Sequence, residues 1–214
     1  PGTPRVRGSF TTGSHTRMAN VISPFQDPGE RTRAGVFGMA CFLISLAMIF
    51  IASILAVVVV RLQDPDAWAD GGLGLPGALL ASTGLLVVSS GTMAVAGRAA
   101  ARGDDDRLAR WMTATLALAI GFLVLQGVAW FELLERGARI DSNLWAWTIY
   151  VLTGLHAAHV LGGLVPMIVT TRRARRRAYT IEDHRGVVYV AMYWHFLDGA
   201  WIALYATLAW ATWW

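Results

Sequence analysis

The sequence predicts an all-α polytopic membrane protein, a bundle of five transmembrane helices with its N-terminus inside and its C-terminus outside. Three observations lead there. Hydrophobic residues make up 55% of the 214 residues and charged residues only 15%, against roughly a quarter charged in soluble domains. The charge is gathered into short stretches, leaving five apolar runs of about 20 residues or more, each able to cross a ~30 Å hydrocarbon core at ~1.5 Å per residue. The 18 basic residues, all arginine, alternate across these runs, with fifteen in the N-terminal tail and the second and fourth loops and three in the first and third. That alternation orients a chain with its arginine-rich loops in the cytoplasm.

Residues 1–34 hold four prolines among Gly, Ser and Thr and read as a flexible cytoplasmic tail with no apolar leader. The chain opens on Pro1, and Met18 offers an alternative start. Residues 35–214 form the transmembrane domain, its first helix expected at 36–60. An acidic loop with Asp64, Asp66 and Asp70 follows, and Pro76 suits the first turn of a second helix at 76–97. The third, at 111–134, opens on Trp111, an interfacial anchor. The fourth, at 144–171, opens with Trp145, Trp147 and Tyr150, and the fifth, at 186–213, closes with Trp210, Trp213 and Trp214. Those aromatics are expected to form a belt at the outer face.

In the fourth helix, Gly154, Ala158 and Gly162 recur at every fourth position, a ridge of small residues against which another helix can pack closely. Pro166 is expected to bend that helix. Cys41 is the one cysteine, so no disulfide forms within the chain. No internal repeat supports an inverted-repeat transporter. The net charge of +4 does not indicate nucleic-acid binding: the arginines sit where topology needs them, with Asp104, Asp105 and Asp106 interleaved. Arg172, Arg173, Arg175, Arg176 and Arg177 suit contact with anionic lipid headgroups. The arginine-only, Ala-, Gly- and Val-rich composition suggests a bacterial gene, hence a bacterial inner membrane.

Ionisable side chains at membrane depth are costly and mark where function is sought first. Here they are Glu132, His156, His159, His195 and Asp198. His156 and His159 share a helix face, as do His195 and Asp198. Asp198 lies near the middle of its run and needs a partner, for which a histidine or the hydroxyls of Tyr193, Tyr150 and Thr153 are the candidates. On chemistry alone four readings stand: haem ligation from two helices, a metal site of three histidines and Asp198, a proton relay, or hydrogen bonding between the fourth and fifth helices with lipid contact.

The residues also resemble a known family. The fourth helix carries Thr153-Gly154-Leu155-His156 and His159-Val160; the fifth carries Tyr193-Trp194-His195-Phe196, Asp198 and Trp201. Both are similar to the last two helices of subunit III of the haem–copper oxidases, in the short five-helix form of cytochrome c oxidase. Ser89-Ser90 and Thr92, Gly121 with Gln126 and Gly137, and Gly38 to Ser45 add weaker likeness in the first three helices. The resemblance implies an accessory, non-catalytic subunit of an aa3-type oxidase that packs on subunit I beside subunit II, with haem a and copper in those partners and no cofactor or metal in this chain. It also implies bound structural phospholipid, support of stability and oxygen access, and a polar network or lipid contact formed by His156, His159, His195, Asp198, Glu132 and Gln126. A quinol-oxidase or nitric-oxide-reductase accessory protein is the alternative, and a free-standing haem-binding membrane protein a more distant one. The sequence departs from the family at Leu46 and Ala129, where family members carry glutamates. Any proton role those carboxylates support is not carried over, although Glu132 stands one turn from Ala129.

Overall fold

Caps and turn residues divide the chain in the computed structural model, which describes residues 28–64, 66–68 and 73–213. Helix α1 spans Pro28–Gln63, α2 Gly77–Ala101, α3 Asp105–Glu135, α4 Leu144–Arg175 and α5 Arg185–Trp213, with a 3-10 turn at Asp66–Trp68. All five helices are long and apolar enough to cross a membrane, and no strand occurs among the described residues. Residues 28–34, expected in the tail, form the first turns of α1. The rest of that tail, Asp70 and Trp214 lie outside the described residues.

The helix ends follow from local chemistry. At the α2–α3 turn Gly103 adopts φ +70°, and Asp104 Oδ1 accepts from the Arg107 amide at 3.0 Å, satisfying one orphan donor of α3. A side chain at Gly103 would also meet Ile181, 3.0 Å from where its Cβ would stand. Asn143 caps α4 by accepting from the Ala146 amide at 2.7 Å. Arg177 closes α4 at φ +51°, with the Ala178 amide donating back to the Arg173 carbonyl at 3.1 Å. That is the left-handed stop usually given to glycine.

Helices α2, α3, α4 and α5 close a ring in which α2 packs on α3, α3 on α4, α4 on α5 and α5 on α2; α1 lies outside it, against α5. The burial of α1 matches its place: among its described residues only Leu46, Phe50 and Val57 are buried, a single stripe along a helix whose other faces turn away from the bundle.

Side-chain hydrogen bonds fasten every seam. Trp130 Nε1 donates to Thr153 Oγ1 (2.9 Å) between α3 and α4, and Trp145 Nε1 to Thr212 Oγ1 (3.0 Å) between α4 and α5. Between α5 and α2, Trp194 Nε1 donates to Ser89 Oγ and Trp201 Nε1 to Thr83 Oγ1, both at 2.9 Å. The hydroxyls of Thr92 and Thr115 bond at 2.8 Å between α2 and α3. Arg61 Nε reaches the Ala211 carbonyl at 2.9 Å from α1. Buried indoles need an acceptor; hydroxyls on neighbouring helices supply it for Trp145, Trp194 and Trp201, whereas Trp68 Nε1 is buried with none among the described residues. The expected outer belt is corrected at one position: Trp145 is fully buried, whereas Trp147 and Trp213 are exposed.

The expected helix-packing ridge is used only in part. Within this chain Gly154 faces the side of the Trp130 ring, Ala158 is exposed, and a Cβ on Gly162 would meet nothing within 4 Å. Gly163 makes the close approach instead: its Cβ would stand 2.5 Å from Tyr193 Cε1. Of that ridge Gly154 packs on α3, while Ala158 and Gly162 turn outward.

Candidate functional site

Antiparallel packing of α3 against α4 brings Phe122 to His156, and α5 adds Trp201. His156 is fully buried, its ring 4.9 Å from Trp201, 5.6 Å edge-on from Phe122 and 6.1 Å from Phe50. Neither of its nitrogens has a hydrogen-bond partner among the described residues. His159, one turn on, turns elsewhere. Its Nδ1–H donates to the Leu155 carbonyl of its own helix at 2.7 Å, and its ring lies 5.2 Å from Phe50. The Tyr193 hydroxyl donates to the His159 carbonyl at 2.9 Å, tying α5 to α4.

On α5, His195 faces outward and its Nδ1 shares a 2.7 Å hydrogen bond with Ser90 Oγ on α2. Asp198 is 5% exposed, and neither carboxylate oxygen has a hydrogen-bond partner among the described residues. The Ser90 hydroxyl lies against it but gives its short contact to His195.

The partners expected for Asp198 are therefore corrected. The Tyr193 hydroxyl is taken by the His159 carbonyl. Tyr150 donates to the Ala138 carbonyl at 3.0 Å, and Thr153 to the Ile149 carbonyl at 2.6 Å. For Thr153 the acceptor is a carbonyl one helical turn back on its own helix, and for the two tyrosines it is a backbone carbonyl of another segment. Among the described residues no hydrogen bond joins His156 or His159 to His195 or Asp198, so the six polar residues are brought into one bundle without forming one connected network.

Gln126 is buried to 1% exposure with neither amide atom paired, and the antiparallel register sets it near the depth of His156. Glu132 lies away from this interior, near the end of α3, where it pairs with Arg136. Arg136 also donates to the Leu73 carbonyl at 3.0 Å. Leu46 and Ala129 are both buried, so the positions lacking the family carboxylates are filled by apolar packing. No group of three His, Cys, Asp or Glu side chains able to hold a metal is gathered among the described residues.

A groove runs between α1 and α4, and Phe50 divides it. On the side of the arginine-rich ends lies an apolar cavity of about 320 Å³ lined by Met39, Phe42, Gly163, Pro166 and Tyr193. On the opposite side lies one of about 190 Å³, lined by Val57, Val60, Trp68, Leu144 and Leu152. Sequence reasoning passed over Phe50 and the aromatic cage it shares with Phe122 and Trp201. The sequence carried no signal for it, because α1 is apolar on every face and nothing sets Phe50 apart from its apolar neighbours.

Comparison with known proteins follows the same helices. A family profile described as cytochrome c oxidase subunit III matches residues 29–214. A cytochrome c oxidase subunit 3 from Synechocystis is 35% identical over 204 residues, 91% of this chain and 84% of the relative. The subunit 3 of Thermostichus vulcanus is 31% identical over 175 residues, 81% of this chain and 85% of the relative. That of Corynebacterium diphtheriae is 35% identical over 144 residues, 66% and 70% respectively.

Proposed function

The chain belongs to the cytochrome c oxidase subunit III family, and from that premise we propose that it is the accessory, non-catalytic third subunit of an aa3-type cytochrome c oxidase. As a family member it is a multi-pass membrane component of an oxidase complex. The finer assignment is that it packs on subunit I in a bacterial inner membrane, N-terminus in the cytoplasm, while haem a and copper reside in subunits I and II. One observation carries this reading: the family match, over residues 29–214, spans all five helices.

The groove between α1 and α4 takes phospholipid acyl chains in this reading. Its two cavities are apolar on nearly every side, and such concave surface in a bilayer is filled by lipid tails rather than water. Lipid held there supports the stability of the assembly and gives dioxygen an apolar route toward subunit I. His156 acts as a packing element of the aromatic cage and takes no part in redox chemistry.

Affinity purification of the tagged chain under mild detergent tests the reading. A haem–copper catalytic subunit should co-purify with phospholipid, and the haem should be lost when the subunits are separated. Haem that stays with this chain alone, or a preparation without any haem–copper subunit, would sink the assignment. A co-purifying partner that oxidises quinol and not cytochrome c would move the chain to the alternative oxidase class.

A further inference from the structure

The geometry points to the outer lip of the α2–α5 seam, formed by Ser90, His195, Gly84 and Gly199 with Asp198 behind it, as the surface on which a transmembrane helix of the haem-bearing subunit docks. That helix presents a hydrogen-bonding side chain to His195 Nε2. The inference rests on the chain being an oxidase subunit, and it adds which face makes the contact.

The seam is clamped from inside. Trp194 on Ser89 and Trp201 on Thr83 hold α5 to α2, which turns the next residues of each helix, Ser90 and His195, to the outer edge. There they bond each other at 2.7 Å with His195 exposed. Gly199 is the midpoint of α5 as bounded by Arg185–Trp213, so His195 lies only ~6 Å from mid-helix at ~1.5 Å per residue. An imidazole facing hydrocarbon at that depth is costly, and such groups face protein or water-filled space.

Asp198 adds to this sign. It is 5% exposed, has no hydrogen-bond partner among the described residues, and lies behind the Ser90 hydroxyl of the same pair. The polar content at this point is thus a histidine, a hydroxyl and a carboxyl, more than one exposed side chain accounts for.

The lip is also shaped for close approach. A Cβ on Gly84, Gly91 or Gly199 would meet nothing within 4 Å, and the Thr83–Trp201 and Ser90–His195 pairs set Gly84 and Gly199 at nearly the same depth. A helix can come to backbone distance there. A lipid tail fills such a notch but offers His195 no hydrogen-bond partner, whereas a helix bearing a hydroxyl, amide or free carbonyl does both.

The test uses the intact complex. Gly199 is replaced by p-benzoylphenylalanine, membranes are irradiated, and the adduct is identified by mass. An adduct with the haem-bearing subunit is the expected result; adducts confined to lipid or to a second copy of this chain overturn the proposal. In parallel, His195→Leu and Gly199→Trp should each lower the haem recovered per tagged chain by roughly tenfold, the scale of losing a buried hydrogen bond or close packing. His195→Gln should retain most of it. Gly199 opens onto free space, so the Gly199→Trp chain should melt like the parent once separated. If both variants hold haem like the parent, this face is not the contact, though the subunit reading stands. If the parent itself recovers no haem subunit, the subunit reading falls as well.

Discussion

The indole N–H of Trp201 donates to Thr83 Oγ1 across 2.9 Å, joining α5 to α2 on the same side of the bundle where Trp201 closes the cage around His156. One side chain thus fastens a helix seam with its edge and packs the core with its face. Thr83→Val keeps the shape and removes the acceptor. It should destabilise the detergent-solubilised chain by about 1 kcal/mol, the usual scale for such bonds between membrane helices. A double-mutant cycle with Trp201→Phe, read by thermal melting, should show positive coupling; strictly additive effects would mean that the bond contributes nothing.

His156 tests the aromatic cage. Its nitrogens have no partner among the described residues, so an apolar residue of similar volume removes an unsatisfied buried group and no bond. His156→Leu should melt within about 1 kcal/mol of the parent or above it. A loss of several kcal/mol in the isolated chain would reveal a hydrogen-bond partner, such as a buried water shared with Gln126.

Neighbouring glycines give opposite expectations. Gly163→Ala drives a methyl against Tyr193 Cε1, 2.5 Å from the site of its Cβ, and should cost about 1–3 kcal/mol as overpacking does. Gly162→Ala points into open space and should be neutral or gain up to ~1 kcal/mol from helix propensity. Melting both proteins in one detergent checks the contrast, and equal melting temperatures would contradict the register of α4 against α5.

Outside the membrane, Asp183 receives a 2.9 Å hydrogen bond from Arg185 Nε, and this holds its carboxyl below the usual 3.8. A depressed folded-state value contributes stability above the unfolded pKa, and that contribution is lost as the pH falls through the folded value. The pair is exposed, so the effect on stability is small. NMR titration of the Asp183 carboxyl should give a midpoint below 3.8, returning toward it in Arg185→Gln. An unchanged midpoint in the variant would assign the shift elsewhere.

The five-helix architecture was legible before any coordinates. Apolar length and the segregation of arginine required five spanning helices, because unpaired backbone and charge are both excluded from hydrocarbon. The motifs around His156, His159, His195 and Asp198 were enough to indicate the family, since they are short-range patterns within single helices. What those residues touch was decided only by tertiary structure. Rotation about each helix axis decides whether a side chain meets a neighbour, the lipid or a carbonyl of its own turn. That rotation came from packing: Trp194 and Trp201 locked α5 onto α2, which sent His195 outward and kept Asp198 in. It also closed an aromatic cage on His156, turned Gly162 to the outside and set Gly163 against Tyr193. Hydrophobic periodicity cannot report these choices in a bilayer, where inward and outward faces are equally apolar.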